Sequence, residues 1–166
     1  KMDSILNEHG DPKTWFDAKW LALDPMPTDS LVRLTLGGIP VHKRGEMLHA
    51  RLRYFDADRR RPGLPQGVAA LVTSLTEDAV EVDLVNTNLF ERRQVLVQAG
   101  AYGEDEIEQV TSRGPGPASE AKTTAVGSST MQVEMDPGAG IHLRIRTRRH
   151  AHTPSYEFPW QREEQH

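Results

Sequence analysis

Residues 131–148 read MQVEMDPGAGIHLRIRTR. Met131, Val133 and Met135 fall on one parity, and Gln132, Glu134 and Asp136 on the other. Pro137, Gly138, Ala139 and Gly140 then form a turn. After it, Ile141, Leu143, Ile145 and Thr147 alternate with His142, Arg144, Arg146 and Arg148. A repeat of two is that of a strand with one face in a core and one in water. The stretch predicts a β-hairpin.

Upstream, Val80, Val82 and Leu84 alternate within Ala79–Asn86, and Val95, Val97 and Ala99 within Gln94–Gly100. These predict the next strand pair, joined by Thr87–Arg93, a connector longer than a two-residue turn. Glu104–Ser112 is read as a further strand. Arg113–Ser129 is rich in Gly, Pro, Ala, Ser and Thr, which predicts a mobile excursion, with Val126 opening a strand that runs through Met135. Leu31–Leu36 alternates and is read as the first strand, turned by Gly37, Gly38, Ile39 and Pro40. Met47–Phe55 is read as the second, with Leu48, Ala50, Leu52 and Tyr54 on one face. Asp56–Gln66 is a charged loop holding Arg59, Arg60 and Arg61. Leu64, Val68, Leu71, Val72 and Leu75 fit helical spacing, so 68–75 is predicted as a short helix across one end of the sheet.

Residues 1–30 are read as an arm. Asp11 and Pro12 start a helix over Thr14–Leu23, with Phe16 and Trp20 on one face, and Asp24–Pro27 stops it. The tail 150–166 carries two prolines before Trp160 and is expected to lie extended across the outside of the sheet. The whole predicts an all-β domain over 31–149: an antiparallel β-sandwich of about seven strands with one or two short helices.

The totals agree. A chain of 166 residues can bury a real core. Net charge is −4, so no global field draws it to nucleic acid or to anionic membranes. No apolar run approaches the roughly 20 residues of a membrane span. The absence of cysteine excludes disulfides and thiolate metal sites and leaves the compartment open. The chain opens on Lys1, which is read as a start inside a longer product, with an upstream domain of the same protein as the expected partner.

Three stretches carry a resemblance: Val82–Asn88, Val95–Gly103 and the proline-glycine turn of Met135–Gly140. Over Val80–Trp160 the pattern resembles the C-terminal all-β lobe of large bacterial carbohydrate-active proteins, of the glycoside hydrolase and polysaccharide lyase type. The resemblance covers about half the chain. It implies a β-sandwich that buttresses a catalytic domain, and it carries over no catalytic residue.

Candidate chemistry is sparse. His150 and His152 are two apart, so on an extended segment both face one way and can hold zinc or copper if His142 or His49 supplies a third ligand. The plainer account is two surface histidines in a basic tail. Arg144, Arg146 and Arg148 form a stripe suited to phosphate, sulfate or uronate. The plainer account is cross-strand pairing with Glu134 and with Glu104, Asp105 and Glu106. Trp15, Trp20, Tyr102, Tyr156 and Trp160 can stack on sugar rings, or simply pin the arm and the tail. Asn86, Thr87 and Asn88 can bind a ligand, or bond to nearby backbone. No pair of carboxylates sits in an apolar context suited to acid–base work, and neither a nucleophile elbow nor a phosphate-cradling glycine loop is present. No cofactor is implied. The expectation is a non-catalytic β-sandwich packing against an upstream domain. The alternatives are a module for acidic carbohydrate, and a small metal-dependent enzyme built on His150 and His152.

Overall fold

The computed structural model describes residues 2–16, 18–19, 23, 29–39, 47–116 and 119–163. The helices whose bounds lie within the described residues are α1 (Met2–Leu6), α2 (Asp29–Leu36) and α3 (Pro159–Glu163), with a 3-10 turn at Pro12–Thr14. The strands are β1 (Leu52–Asp56), β2 (Arg61–Pro62), β3 (Val68–Leu75), β4 (Ala79–Asn86), β5 (Arg93–Ala99), β6 (Glu106–Arg113), β7 (Lys122–Ser128), β8 (Thr130–Met135) and β9 (Gly140–Arg148). They form two antiparallel sheets, ordered β2-β1-β5-β8 and β3-β4-β9-β6-β7. The all-β sandwich expected from alternation is therefore the fold, with nine strands among the described residues.

The core is the layer between the sheets. Leu52, Val95, Val97 and Val133 come from one sheet, and Val80, Val82, Leu84, Ile107, Leu143 and Ile145 from the other. Burial of such aliphatic area, at roughly 25 cal/mol per Å², outweighs surface ion pairs worth about 0–1 kcal/mol each. No helix among the described residues is long and apolar enough to cross a membrane.

Several elements differ from expectation, each for a physical reason. The predicted hairpin of residues 131–148 is instead a crossing between layers. β8 pairs with β5, while β9 pairs with β4 and β6. The turn between them is held by Asn86 N–H on Ala139 O (2.9 Å) and Gly138 N–H on Asn88 O (2.9 Å). Parity is preserved, since Val133, Met135, Leu143 and Ile145 are all buried. Glu134 consequently meets Arg92 at 3.9 Å rather than Arg144 or Arg146. β4 and β5 likewise lie in opposite sheets, their aliphatic faces meeting across the core instead of pairing edge to edge.

Residues 31–36 belong to α2, not to a strand. Asp29 occupies its first turn, where a carboxylate suits the helix N-terminus. The Thr35 hydroxyl donates back to Leu31 O within the helix. Leu36, partly buried, packs against the core, and α2 rests on β3 and β1 at the open side of the sandwich. The second strand begins at Leu52, and before it only an isolated Ile39–His49 bridge is formed. Residues 68–75 are strand, not helix. Val68, Ala70 and Val72 are partly buried against the core and Leu71 is exposed. The apparent helical spacing arose because a bulge between Val72 and Ser74 shifts the register, so Leu75 pairs with Val80. The excursion 113–129 contains β7, which bonds to β6. β7 does not run on into β8, because Gly127, at φ +67°, and the bend at Ser129 carry the chain to the other sheet. Residues 12–14 form a 3-10 turn and Trp15 is extended, so the helix expected over Thr14–Leu23 does not start at Thr14, while Ala18 and Lys19 within that span are helical; Trp20 and the stop at residues 24–27 lie outside the described residues.

The tail reaches the outer face of the four-stranded sheet, where it forms α3. Phe55 points outward from β1 yet is 1% exposed. Phe158 and Trp160 meet it edge-on at 6.2 and 5.8 Å between ring centres, and stack on each other at 5.0 Å.

Tyr54 ties α2 to this frame. Its hydroxyl donates to Thr35 O at 2.7 Å. Burial raises its pKa far above the ordinary 10.0. The folded state thus holds the phenolic proton more tightly than the unfolded chain. That stability is complete below about pH 10 and is lost as pH rises further. Chemical denaturation across alkaline pH should show this falling limb, and Tyr54→Phe should flatten it while costing about 1 kcal/mol at neutral pH from the lost hydrogen bond.

Candidate functional site

One end of the sandwich carries a cleft of about 490 Å³. Gly37, Gly38 and Ile39 leave the C-terminus of α2 along one wall, beside Met47 and the end of β3 at Leu75. Gly38 is required there, because a Cβ would overlap the His49 carbonyl oxygen. The opposite wall is the turn after β5, with Tyr102, Glu104 and Asp105, and the turn after β9, with Arg149 and His150.

The polar wall is occupied with holding the fold. Glu104 accepts from the Ala101 and Tyr102 amides at 3.2 and 2.7 Å. Gly100, at φ +78°, lies so close that a Cβ would overlap this carboxylate. Asp105 is buried and accepts from the His150 amide at 2.8 Å. Arg51 donates to Thr76 O (2.9 Å) and Glu77 O (3.2 Å), clamping the β3–β4 turn, and desolvation lowers its pKa. The apolar wall has no such occupation. Ile39 is 68% exposed, Met47 58% and Leu75 49%; Leu34, 50% exposed, stands on α2 outside the cleft lining.

The second notable surface is the outer face of the five-stranded sheet. Cross-strand pairs cover it: His142 Nδ1 to Asp83 at 2.7 Å, Arg144 to Glu81 at 3.1 Å, and Arg148 to Glu106 at 3.0 Å. Arg146 lies near Asp78, whose carboxyl is held below its ordinary pKa by the Thr76 hydroxyl first, and also by that guanidinium.

Among the described residues, the sequence-predicted ones are not gathered at one place. Trp15 sits in the arm with the Lys19 ammonium 4.7 Å from its ring centre. Trp20 lies outside the described residues. Tyr102 and Tyr156 meet edge-on at 5.3 Å, and Trp160 packs in the tail. Arg144 and Arg146 stand on the polar sheet face. His150 takes a left-handed backbone, φ +55°, which breaks the parity that would align it with His152. His152 Nε2 lies 3.5 Å from Glu106. Among the described residues no three His, Asp or Glu side chains are grouped to hold a metal. Asn86, Thr87 and Asn88 bond to backbone: Thr87 to Gly67 O at 2.8 Å, and Asn88 Oδ1 to the Phe90 and Glu91 amides. Two features escaped the sequence, the exposed leucines of α2 and Arg113. The signal for the first was the spacing of Leu31 and Leu34, three apart, which puts both on one face of a helix and on opposite faces of a strand.

Comparison with known protein families, curated proteins and solved structures finds no match.

Proposed function

We propose that this chain is a non-catalytic β-sandwich module that docks against another folded domain through the apolar end built by α2. The supporting observation is the contrast between the two walls of the end cleft. Arg51, Glu104 and Asp105 are engaged in holding loops, while Ile39, Met47 and Leu75 remain about half exposed or more. Scattered apolar side chains are ordinary on a protein surface, but a contiguous apolar patch rimmed by polar groups marks an interaction site. Ile39, Met47 and Leu75 line one cleft, with Arg51, His49 and Arg149 beside them as the rim. Apolar centre and polar rim is the composition of a protein interface. A buttressing lobe in a larger bacterial protein, as the sequence resemblance implies, would use such a surface.

An apolar fluorescent dye such as ANS tests the reading on the folded chain. Under native conditions the dye should bind, and the double variant Ile39→Glu, Met47→Glu should lose most of that signal without a fall in melting temperature. Absence of dye binding by the native protein, or undiminished binding by the variant, would refute the docking surface.

A further inference from the structure

We propose that the outer face of the five-stranded sheet binds a sugar acid, a ring carrying one carboxylate and neighbouring hydroxyls, in a trough centred on Arg113, His142 and Asp83. This surface is separate from the docking end and does not depend on it. The register puts the three residues side by side: Asp83 opposite His142 on β4 and β9, and His142 opposite Arg113 on β9 and β6. Directly opposed residues of antiparallel strands project from the same face. Two hollows, of about 540 and 280 Å³, meet at this row, and Arg113 and His142 line both. The larger is closed by the Gly114–Gly116 turn, and the smaller by Thr111 and Arg144.

The row is half engaged and half free. Asp83 fixes the imidazole through Nδ1 at 2.7 Å, which leaves Nε2 directed away from that bond. Among the described residues Nε2 has no partner, and neither does the Arg113 guanidinium, whereas Arg144 and Arg148 on the same face are paired with carboxylates. A free guanidinium takes a carboxylate as a planar fork. The second oxygen of Asp83 accepts from a hydroxyl, and Nε2 of His142 bonds to a second one. Val85 and Leu71, both exposed on this sheet, offer an apolar edge for the C–H face of a ring.

The lining also selects among anions. Glu81 and Asp83 stand in the trough with Arg113 and Arg144. They repel a phosphate dianion and tolerate a singly charged ligand that brings hydroxyl donors. The expectation of acidic carbohydrate on Arg144, Arg146 and stacked aromatic rings is thereby moved to a constellation that keeps Arg144 at its edge and has no aromatic platform.

The test is titration of the full chain with short galacturonate and glucuronate oligosaccharides, followed by NMR amide shifts and calorimetry, with neutral gluco-oligosaccharides and inorganic phosphate as comparisons. Uronate should bind and shift amides of β4, β6 and β9. Arg113→Ala and Arg113→Gln should each weaken binding tenfold or more, Asp83→Asn should weaken it severalfold, and Arg59→Ala on another loop should leave it unchanged. All these side chains are at least partly exposed, so melting temperatures should hold. No uronate binding at millimolar concentration, equal affinity for phosphate, or full affinity in both Arg113 variants would each overturn the assignment.

Discussion

Replacing Phe55 with alanine should destabilise the protein by about 3–5 kcal/mol, the range for removing a buried aromatic side chain. The size is unexpected for a residue on the outer face of a sheet. It follows from the tail: Phe158 and Trp160 close over Phe55 with edge-on ring contacts, and the Arg53 guanidinium lies 5.2 Å from its ring centre. Aromatic pairs of this geometry add about 0.5–1.5 kcal/mol beyond area burial. Denaturant melts monitored by tryptophan fluorescence measure the loss. Limited proteolysis should also show cleavage within 151–163 in the variant and resistance in the parent. A loss below 1 kcal/mol would mean that the tail does not hold this position in solution.

Asn86→Ala is expected to cost about 3 kcal/mol, because it strips partners from several backbone groups at once. Asn86 is fully buried at the end of β4. Its amide donates to Glu91 O (2.9 Å) and Asp136 O (3.1 Å), and its carbonyl oxygen accepts from the Asn88 amide (3.0 Å). One side chain thus joins the β4–β5 loop to the turn before β9, and through them the two sheets. The Asn88 amide should exchange with deuterium faster in the variant by at least tenfold. Exchange unchanged from the parent, with stability within about 0.5 kcal/mol, would show that water replaces the side chain without loss.

The legible part of this fold was parity. Period-two runs at 79–86, 94–99 and 131–148 assign the correct side chains to the interior, from Val80 to Ile145. Partnership was not legible, because alternation fixes which face of a strand is buried and says nothing about its neighbour. Met131–Met135 and Ile141–Arg148 look like a hairpin in sequence, yet they belong to opposite layers. Short segments were ambiguous for another reason. Val32, Leu34 and Leu36 satisfy alternation, and Val32 and Leu36 also satisfy a four-residue helical step. Docking of α2 on β3 and β1 settles the choice, and that contact is remote in sequence. Val68–Leu75 misled in the opposite direction, since one bulge is enough to make a strand mimic helical spacing.

The candidate sites were less legible than the fold, for the same reason. Arg113 falls in a Gly- and Pro-rich stretch and becomes notable only once β6 and β9 pair and bring it beside His142. Conversely, the rings and histidines that drew attention in the sequence are distributed over the arm, a loop and the tail.

Hydroxyl-radical footprinting of Met47, in the purified chain and in the protein in its natural cellular setting, tests the docking surface most directly. At 58% exposure the thioether is open in the isolated chain and should oxidise readily. Strong protection in the natural setting, with Gln132 and the β9 arginines on the outer sheet faces equally reactive in both, is the expected result. Equal oxidation of Met47 in both would contradict it and leave the apolar end of α2 without a partner.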